Sequence, residues 1–191
     1  MSISQFIGFS GIIAFIGLVH LGMGLYNKNG NRYHYFKQFL CEVERNFEGN
    51  LIPKILYKAG NSSITVGIAI GMLFLEANIT RFIVEIRIIA IIAALASVKT
   101  SIYTADRNTA SHVVFSLLSI GGVFGILILI NLDLQSTLIT TFIIIFFVFL
   151  GFVAGTNFIK EKYRRKSIQV ISQKIFIWIF CSLLIVFFLQ I

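Results

Sequence analysis

The chain has 191 residues, of which 57% are hydrophobic and only 13% are charged, and its formal net charge is +8. A soluble domain carries roughly 25% charged residues, so this composition excludes an ordinary soluble protein and indicates one that lipid solvates. In a membrane protein a positive net charge reflects the excess of lysine and arginine in cytoplasmic loops. We therefore expect no nucleic-acid partner.

Apolar runs predict six spans in chain order, because about twenty apolar residues cross a bilayer as a helix. They cover residues 3–26, 61–78, 82–103, 110–130, 137–158 and 171–191. The second span is short, and the third opens with charged residues. The predicted fold is all-α, a polytopic transmembrane bundle of about six helices that forms a single domain over residues 1–191.

The loop after the first span has a pattern of its own. Apolar residues recur there at steps of three or four, at Tyr33, Phe36, Leu40, Val43 and Phe47. Charged residues stand between them. This periodicity predicts an amphipathic helix over about residues 33–48 that lies in the cytoplasmic interface or packs beneath the bundle.

Basic residues set the expected orientation. The first and third loops are basic, and the fifth carries Lys160, Lys162, Arg164, Arg165 and Lys166. With six spans these loops share one side. The positive-inside rule makes that side cytoplasmic and puts both termini outside. We expect the plasma membrane of a prokaryote, with an organelle membrane as the alternative.

Small residues allow helices to pack closely within lipid. Three GxxxG pairs occur, and the first span contributes three further glycines to this prediction. They are Gly67/Gly71, Gly121/Gly125, Gly151/Gly155, Gly17, Gly22 and Gly24. They predict close packing within a compact bundle, and the interface of a homo-oligomer is the alternative.

The third span begins with ionisable residues, which are costly at membrane depth. Arg81 and Glu85 are four residues apart, so on one helix they share a face and can pair. Arg87 points elsewhere. We interpret the group as an interfacial feature whose long side chains reach water, with an anion-attracting or proton-handling role as the alternative.

The first and third loops meet at the cytoplasmic face, where they bring together residues from distant segments. Glu42, Asp106 and His112 are the candidate catalytic residues. Two carboxylates beside a histidine can perform general acid–base chemistry or hold a metal. Whether a metal binds stays open, because the histidines lack the spacing of a metal motif.

Three further residues are candidates for ligand binding. Lys99 and Arg107 lie at the same face and can bind phosphate. His20 lies in the same leaflet as His112, and two such histidines can ligate a haem between two helices. No cofactor is assigned, because a histidine hydrogen-bonded inside the bundle is the commoner arrangement.

Several segments follow the pattern of a known family. They are Tyr35, Leu40-Cys41-Glu42-Val43, Tyr57-Lys58-Ala59-Gly60-Asn61, and Asp106 with His112. The arrangement resembles a six-span prokaryotic membrane family of unknown function, itself similar to the damage-regulated autophagy modulator and FGF-receptor-activating proteins. The chain departs from the family pattern in two places. It has no Ser-Glu-Leu-Gly segment, and Tyr103-Thr104-Ala105 stands directly before Asp106 where the family has a proline. The resemblance implies no activity, but it favours Glu42, Asp106 and His112 as one site.

Three functions remain open. We favour a small multi-pass protein that binds membrane lipids or partner subunits, as an accessory subunit of a membrane complex, because no P-loop, nucleophile elbow, CxxC or HExxH motif occurs. The first alternative is a membrane enzyme that acts on a lipid head group at the cytoplasmic interface. The second is a transporter or channel, for which Glu85, Ser97 and Lys99 would have to line a continuous polar path.

Overall fold

The computed structural model describes residues 1–28, 51–76, 79–102, 109–156 and 162–191. Its helices are α1 (Ile3–Lys28), α2 (Leu51–Leu73), α3 (Ile83–Ile102), α4 (Thr109–Leu134), α5 (Thr137–Gly155) and α6 (Lys162–Gln190). The described residues contain no strand. The prediction of an all-α bundle of about six helices is confirmed. The predicted amphipathic helix over residues 33–48 lies outside the described residues.

Two helices begin earlier than their predicted spans. α2 begins at Leu51 and α6 at Lys162, both in segments that the apolar pattern assigns to basic loops. A helix needs only unbroken backbone hydrogen bonding, whereas an apolar run reports where side chains prefer lipid. Pro53 fits because it lies in the first turn, where its missing N–H costs no hydrogen bond.

The helices form a ring in chain order. Each helix packs against the next one in the sequence, and α6 closes the ring by packing against α1. Neighbours run in opposite directions. We call the end of the bundle that carries Lys54, Lys58, Lys99 and Lys166 the lysine end, and the opposite end, where α4 finishes, the Asp133 end.

Large apolar side chains point outward on all six helices. Among the most exposed are Val148 (69%), Leu189 (67%) and Leu117 (66%). Among the described residues, three apolar stretches are long enough to cross a membrane, namely Ile3–Tyr26, Ala110–Leu134 and Lys166–Gln190. Apolar surface this extensive requires lipid as its solvent, so the chain is an integral membrane protein with transmembrane helices.

α1 and α2 are in backbone contact along a line of glycines, which we call the glycine seam. A Cβ atom added to Gly67 would lie 2.6 Å from the Cα of Gly11, and one added to Gly11 would lie 2.8 Å from the Cα of Gly67. The hydroxyl of Ser63 donates a hydrogen bond across the seam to the carbonyl oxygen of Gly11 at 3.2 Å. The prediction of close packing within the bundle is confirmed for this pair of helices.

The same prediction is wrong for most of the other glycines. Among the described residues, no atom lies within 4 Å of a Cβ atom added to any of these glycines: Gly17, Gly24, Gly121, Gly151 and Gly155. On α4 it is instead Gly122 that packs, since its Cβ would lie 2.7 Å from the Cβ of Ala93. A GxxxG spacing reports a small-residue face, but the face packs closely only where the neighbouring helix also offers small residues.

α4 turns directly into α5. Gln135 adopts a left-handed backbone conformation with φ of 49°, which ends α4 within one residue. Ser136 then begins α5: its hydroxyl accepts a hydrogen bond from the backbone N–H of Ile139 at 3.3 Å, as a helix N-cap does. The turn holds the two helices together at the Asp133 end.

Asp133 joins α4 to the segment before α3. Its Oδ2 accepts hydrogen bonds from the hydroxyl of Thr80 at 2.7 Å and from the backbone N–H of Arg81 at 2.9 Å. Its Oδ1 lies 3.3 Å from the Nε of Arg81. We call this group the Asp133 clasp. The expected Arg81–Glu85 pair is therefore replaced: α3 begins only at Ile83, so Arg81 does not share a helix face with Glu85, which is exposed.

The two halves of the bundle have different interiors. At the Asp133 end, fully buried apolar side chains from four helices fill the centre of the ring, among them Met72, Ile86, Ile130 and Phe187. Arg87 lies beside them and donates a hydrogen bond from Nη2 to the carbonyl oxygen of Leu75 at 3.2 Å, at the end of α2. The interior at the lysine end is hollow.

Candidate functional site

A cavity of about 370 Å³ lies inside the ring at the lysine end. We call it the chamber. Its lining comes from α1, α2, α3, α4 and α6, and its polar members are Tyr57, Lys58, Asn61, Thr65, Ser97, Thr100, Ser101, His112, Ser116, Ser119 and Gln173. Most of the lining surface is apolar, but these residues supply several hydrogen-bonding groups, and a cavity of this size falls within the range of small-molecule sites.

Helical spacing puts these polar residues on inward faces. On α2, Lys58, Asn61 and Thr65 follow at steps of three and four, and all three line the chamber. Residues at such steps stand above one another on one face of a helix. His112, Ser116 and Ser119 repeat the pattern on α4 at steps of four and three. Each of these two helices thus turns a polar stripe to the chamber.

Hydrogen bonds between helices hold the chamber walls together. The hydroxyl oxygens of Ser62 and Ser101 lie 2.7 Å apart and join α2 to α3. Deeper in the bundle, the hydroxyl oxygens of Thr65 and Ser119 lie 3.3 Å apart and join α2 to α4. Both hydroxyl groups of the deeper pair are buried, so the polar part of the chamber ends in satisfied groups near the middle of the bundle.

The side of the chamber formed by α1 and α6 is mostly apolar. Its members include Phe15, Phe176, Ile177, Phe180 and Cys181. α2, α3 and α4 supply hydroxyl, amide and basic groups, whereas α6 supplies mainly aromatic and aliphatic surface. The chamber is therefore amphipathic across its width, and it suits a ligand that has both a polar and an apolar part.

The charged lining of the chamber is basic. Lys58 lines it together with His112, and none of the described lining residues is an aspartate or glutamate. A basic, partly desolvated cavity favours an anionic ligand group, because electrostatic attraction is screened less there than at the surface.

The predicted site residues fall in different places. His112 lines the chamber. Lys99 is exposed on the last turn of α3 and does not contribute to the described chamber lining. Glu42, Asp106 and Arg107 lie outside the described residues, so their proposed grouping with His112 stays a prediction. The described part of the chain contains no cluster of three histidine, cysteine or acidic side chains that could hold a metal.

His20 and His112 do not face a common space. The Nδ1 of His20 is 2.7 Å from the carbonyl oxygen of Ile16 on its own helix, and its ring packs 6.3 Å from that of Trp178. His20 lines a separate cavity of only about 10 Å³. Phe15, Ile177 and Cys181 line both this cavity and the chamber, so these side chains stand between the two histidines where a bridging haem would have to lie.

Most residues of the chamber lining were not predicted from the sequence. They could have been recognised as polar residues at helical steps within otherwise apolar helices, as on α2 and α4. Single serine and threonine residues are common in membrane helices, where they bond to their own backbone, as Thr100 does to the carbonyl oxygen of Ala96 at 3.0 Å. Only the arrangement of the helices shows that several such stripes face the same cavity.

Comparisons with known proteins give the chain no relative. No family model matches it, and neither a curated protein nor a solved structure is significantly similar to it. The resemblance to the six-span family therefore stays a prediction, and the site has to be interpreted from its own geometry and chemistry.

Proposed function

We propose that the chain is a multi-pass membrane protein that binds a membrane lipid, with the phosphate-containing head group in the chamber. In this proposal all six helices cross the bilayer, the lysine end is cytoplasmic and both termini are outside. The basic loops support this orientation. The polar residues of α2 and α3 are compatible with a membrane position because many of them face the chamber and not the lipid.

The observation that carries the proposal is the basic, hydroxyl-rich chamber beside an apolar wall. Lys58 and the hydroxyls of Ser101 and Ser116 can donate hydrogen bonds to phosphate oxygens, and charge-assisted bonds of this kind are about twice as strong as neutral ones. The aromatic side chains of α6 offer apolar surface to the glycerol and upper acyl region. A head group thus meets donors on one side and hydrocarbon on the other.

The opposite half of the bundle favours binding over conduction. Fully buried side chains such as Met72, Ile86 and Phe187 fill the ring below the chamber, which is the arrangement expected of a site that is closed at its inner end. Of the three residues named for a polar path, Ser97 lines the chamber, whereas Glu85 and Lys99 are exposed. A transporter or channel is accordingly the weakest of the alternatives.

The test is retention of lipid by the protein purified in mild detergent. Lys58→Met removes the charge in the chamber and keeps a similar side-chain volume. Because a hydrogen bond to a charged group contributes about 1.5–3 kcal/mol, we expect retention of anionic phospholipid, measured by mass spectrometry, to fall at least about tenfold. Lys99→Met is the matched control, since it removes an exposed lysine at the same end.

Two results would contradict the proposal. One is wild-type protein that retains no phospholipid beyond the amount removed from any membrane protein by the same detergent. The other is an equal loss of lipid in Lys58→Met and Lys99→Met, which would indicate a general charge effect at the lysine end. Binding to partner subunits is the related possibility, and co-purification of a fixed partner that does not depend on Lys58 would support it.

A membrane enzyme acting on a lipid head group is the second candidate, and it is favoured by the position of His112 on the chamber wall. An imidazole there can act as a general base toward a bound head group. His112→Gln keeps hydrogen bonding but not the proton transfer. If the chain is an enzyme, this variant loses head-group turnover and keeps lipid retention. If the chain only binds lipid, wild type shows no turnover.

A further inference from the structure

A second cavity lies on the outer side of the ring, next to the chamber. It measures about 590 Å³ and is bounded by α4, α5 and α6. We call it the groove. Its lining is mostly apolar, with aromatic surface from Phe124, Phe146, Phe147 and Phe149. The glycines Gly121 and Gly125 deepen the groove, since Gly121 has no atom within 4 Å of an added Cβ and Gly125 has only one.

The groove and the chamber share a wall. Ile120, Gln173 and Phe176 line both cavities. These three side chains therefore form a thin wall between the cavities, and a change of their rotamers could join the two spaces. Phe176 packs against Phe146 at a ring distance of 5.1 Å and against Phe180 at 5.9 Å, in an aromatic cluster that links α5 to the apolar side of the chamber.

The helices around this wall are loosely joined. Within the described residues, α4 and α6 are not among the closely packed helix pairs, and the contacts of α5 with both neighbours are sparse compared with those between α1 and α2. The contact that closes the ring between α6 and α1 is about as sparse as that between α5 and α6. Aromatic side chains fill part of the space between α4, α5 and α6, so the ring is loosely packed at α5, beside the shared wall.

We propose that the groove is a lateral portal through which the lipid of the chamber reaches its site from the bilayer, with its acyl chain lying in the groove. This inference rests on the proposed function and assigns the path and the position of the acyl chain. The occupant is a phospholipid from the leaflet at the lysine end.

The chemistry along the groove matches such a lipid. Gln169, Ser172 and Gln173 lie toward the lysine end, and the phenylalanines and open glycines lie toward the middle of the bundle. The polar end of the groove thus adjoins the basic chamber, as the order of head group and acyl chain requires. The charge of Lys58 in the chamber complements a phosphate, and the groove itself is uncharged among its described lining residues.

The length of the groove also fits one leaflet. Its α4 side runs from Leu117 to Ile128, which is about 16 Å at a rise of 1.5 Å per residue. The hydrocarbon core of a bilayer is about 30 Å thick, so the groove is as long as the acyl region of a single leaflet. Inorganic phosphate alone would need no groove.

Photo-crosslinking tests the portal. The full-length protein is reconstituted in phosphatidylcholine vesicles that contain phosphatidylglycerol with a photoreactive group in one acyl chain, and the crosslinked peptides are identified by mass spectrometry. Crosslinks should concentrate on the groove helices, at peptides containing Gly121, Phe146 or Phe176. Crosslinks spread evenly over the lipid-facing surfaces of all helices would overturn the inference.

Gly121→Leu tests the groove directly, because a leucine side chain occupies the space of the acyl chain. Because this side chain competes with the acyl chain for the same space, we expect crosslinking in the groove to fall about tenfold. Gly151→Leu is the matched control, since Gly151 is also open and helical but is not part of the groove. If Gly121→Leu does not fold, Gly125→Leu replaces it.

The two proposals fail in different ways. If lipid retention depends on Lys58 and groove crosslinking is unchanged by Gly121→Leu, the chamber binds lipid but the portal inference is wrong. If phosphatidylglycerol and phosphatidylcholine probes crosslink equally in the groove of wild type and of Lys58→Met, the groove holds bulk lipid unconnected to the chamber. If no phospholipid is retained, the proposed function fails first.

Discussion

The glycine seam and the groove are built from similar sequence and pack in opposite ways. α2 carries Gly67 and Gly71, and α4 carries Gly121 and Gly125, each pair four residues apart. At the seam Gly67 faces Gly11, and the two backbones touch. At the groove the facing helix α5 presents phenylalanine side chains, and the glycines stay open. Small residues permit close approach, but the residues on the partner helix decide whether it occurs.

This difference separates two mechanical roles in one bundle. The seam leaves no room for movement because backbone atoms are already in contact. The α4–α5–α6 side is held by aromatic side chains, which can change rotamer without moving a helix, and it borders the chamber. A site that exchanges lipid with the bilayer needs both kinds of region, one that keeps the ring intact and one that opens.

The largest expected effect comes from adding a methyl group at the seam. Gly11→Ala puts a Cβ 2.8 Å from both the Cα of Gly67 and the carbonyl oxygen of Ser63. Neither atom can move without shifting a helix, so we expect a loss of about 3 kcal/mol in the free energy of unfolding, measured by thermal or detergent-induced unfolding. Gly17→Ala on the same helix is the control and should unfold like wild type, because its Cβ meets open space.

The next largest effect on stability is expected at the Asp133 clasp. The clasp joins α4 to the segment before α3 and lies outside both the glycine seam and the groove. Asp133→Asn removes a charged acceptor of two hydrogen bonds, and we expect it to lower the free energy of unfolding, by less than Gly11→Ala does, in the same unfolding assay. Glu85→Gln neutralises an exposed carboxylate at the same end and should leave stability unchanged. An equal loss in both variants would mean that net charge, and not the clasp, is responsible.

A smaller effect is expected at the floor of the chamber. Thr65→Val removes the hydrogen bond to Ser119 between α2 and α4, and hydrogen bonds between membrane helices contribute about 0.6 kcal/mol on average. Thr141→Val serves as the control, because the Thr141 hydroxyl bonds only to the carbonyl oxygen of Thr137 in its own helix at 2.8 Å. If the Thr65–Ser119 hydrogen bond shapes the chamber, lipid retention should fall more in Thr65→Val than in Thr141→Val.

The smallest effect on stability is expected at the groove, where Gly121 is open, in contrast to Gly11 in the glycine seam. Gly121→Ala adds a methyl group to an open position within a helix, where alanine is favoured over glycine by about 0.5–1 kcal/mol. We therefore expect unchanged or slightly raised stability in the unfolding assay. A loss as large as that of Gly11→Ala would mean that α4 packs closely against another surface, as in a homo-oligomer.

Parts of the fold could be predicted from local sequence. Residues 3–26 and 110–130 are recognisable as spans because their apolar residues continue on all faces, and they correspond to α1 and α4. The start of α2 at Leu51 could not be predicted in this way. Lys54 and Lys58 indicate a loop when judged by hydropathy alone, whereas the helix continues through them and directs Lys58 into the chamber.

The candidate site was predictable only in part. His112 was predicted as a site residue because the loops bring it to the same face as Glu42 and Asp106, and it does line the chamber. Thr65, Ser101 and Ser119 were not predicted, because a hydroxyl in a membrane helix is usually satisfied by its own backbone. The expected pairing of Arg81 with Glu85 is wrong because it requires both residues to lie on one helix. That helix, α3, begins only at Ile83, two residues after Arg81.

The sequence by itself determined that the chain is α-helical and dissolved in lipid, because both depend on the chemistry of residues within one helical run. The tertiary structure decided which glycines touch, that Asp133 holds Arg81, and that polar stripes from α2, α3 and α4 surround one chamber next to an apolar groove. These features depend on which faces of different helices meet. A pattern along one helix can show that a face is polar or small, but it does not specify which face of which other helix that face will meet.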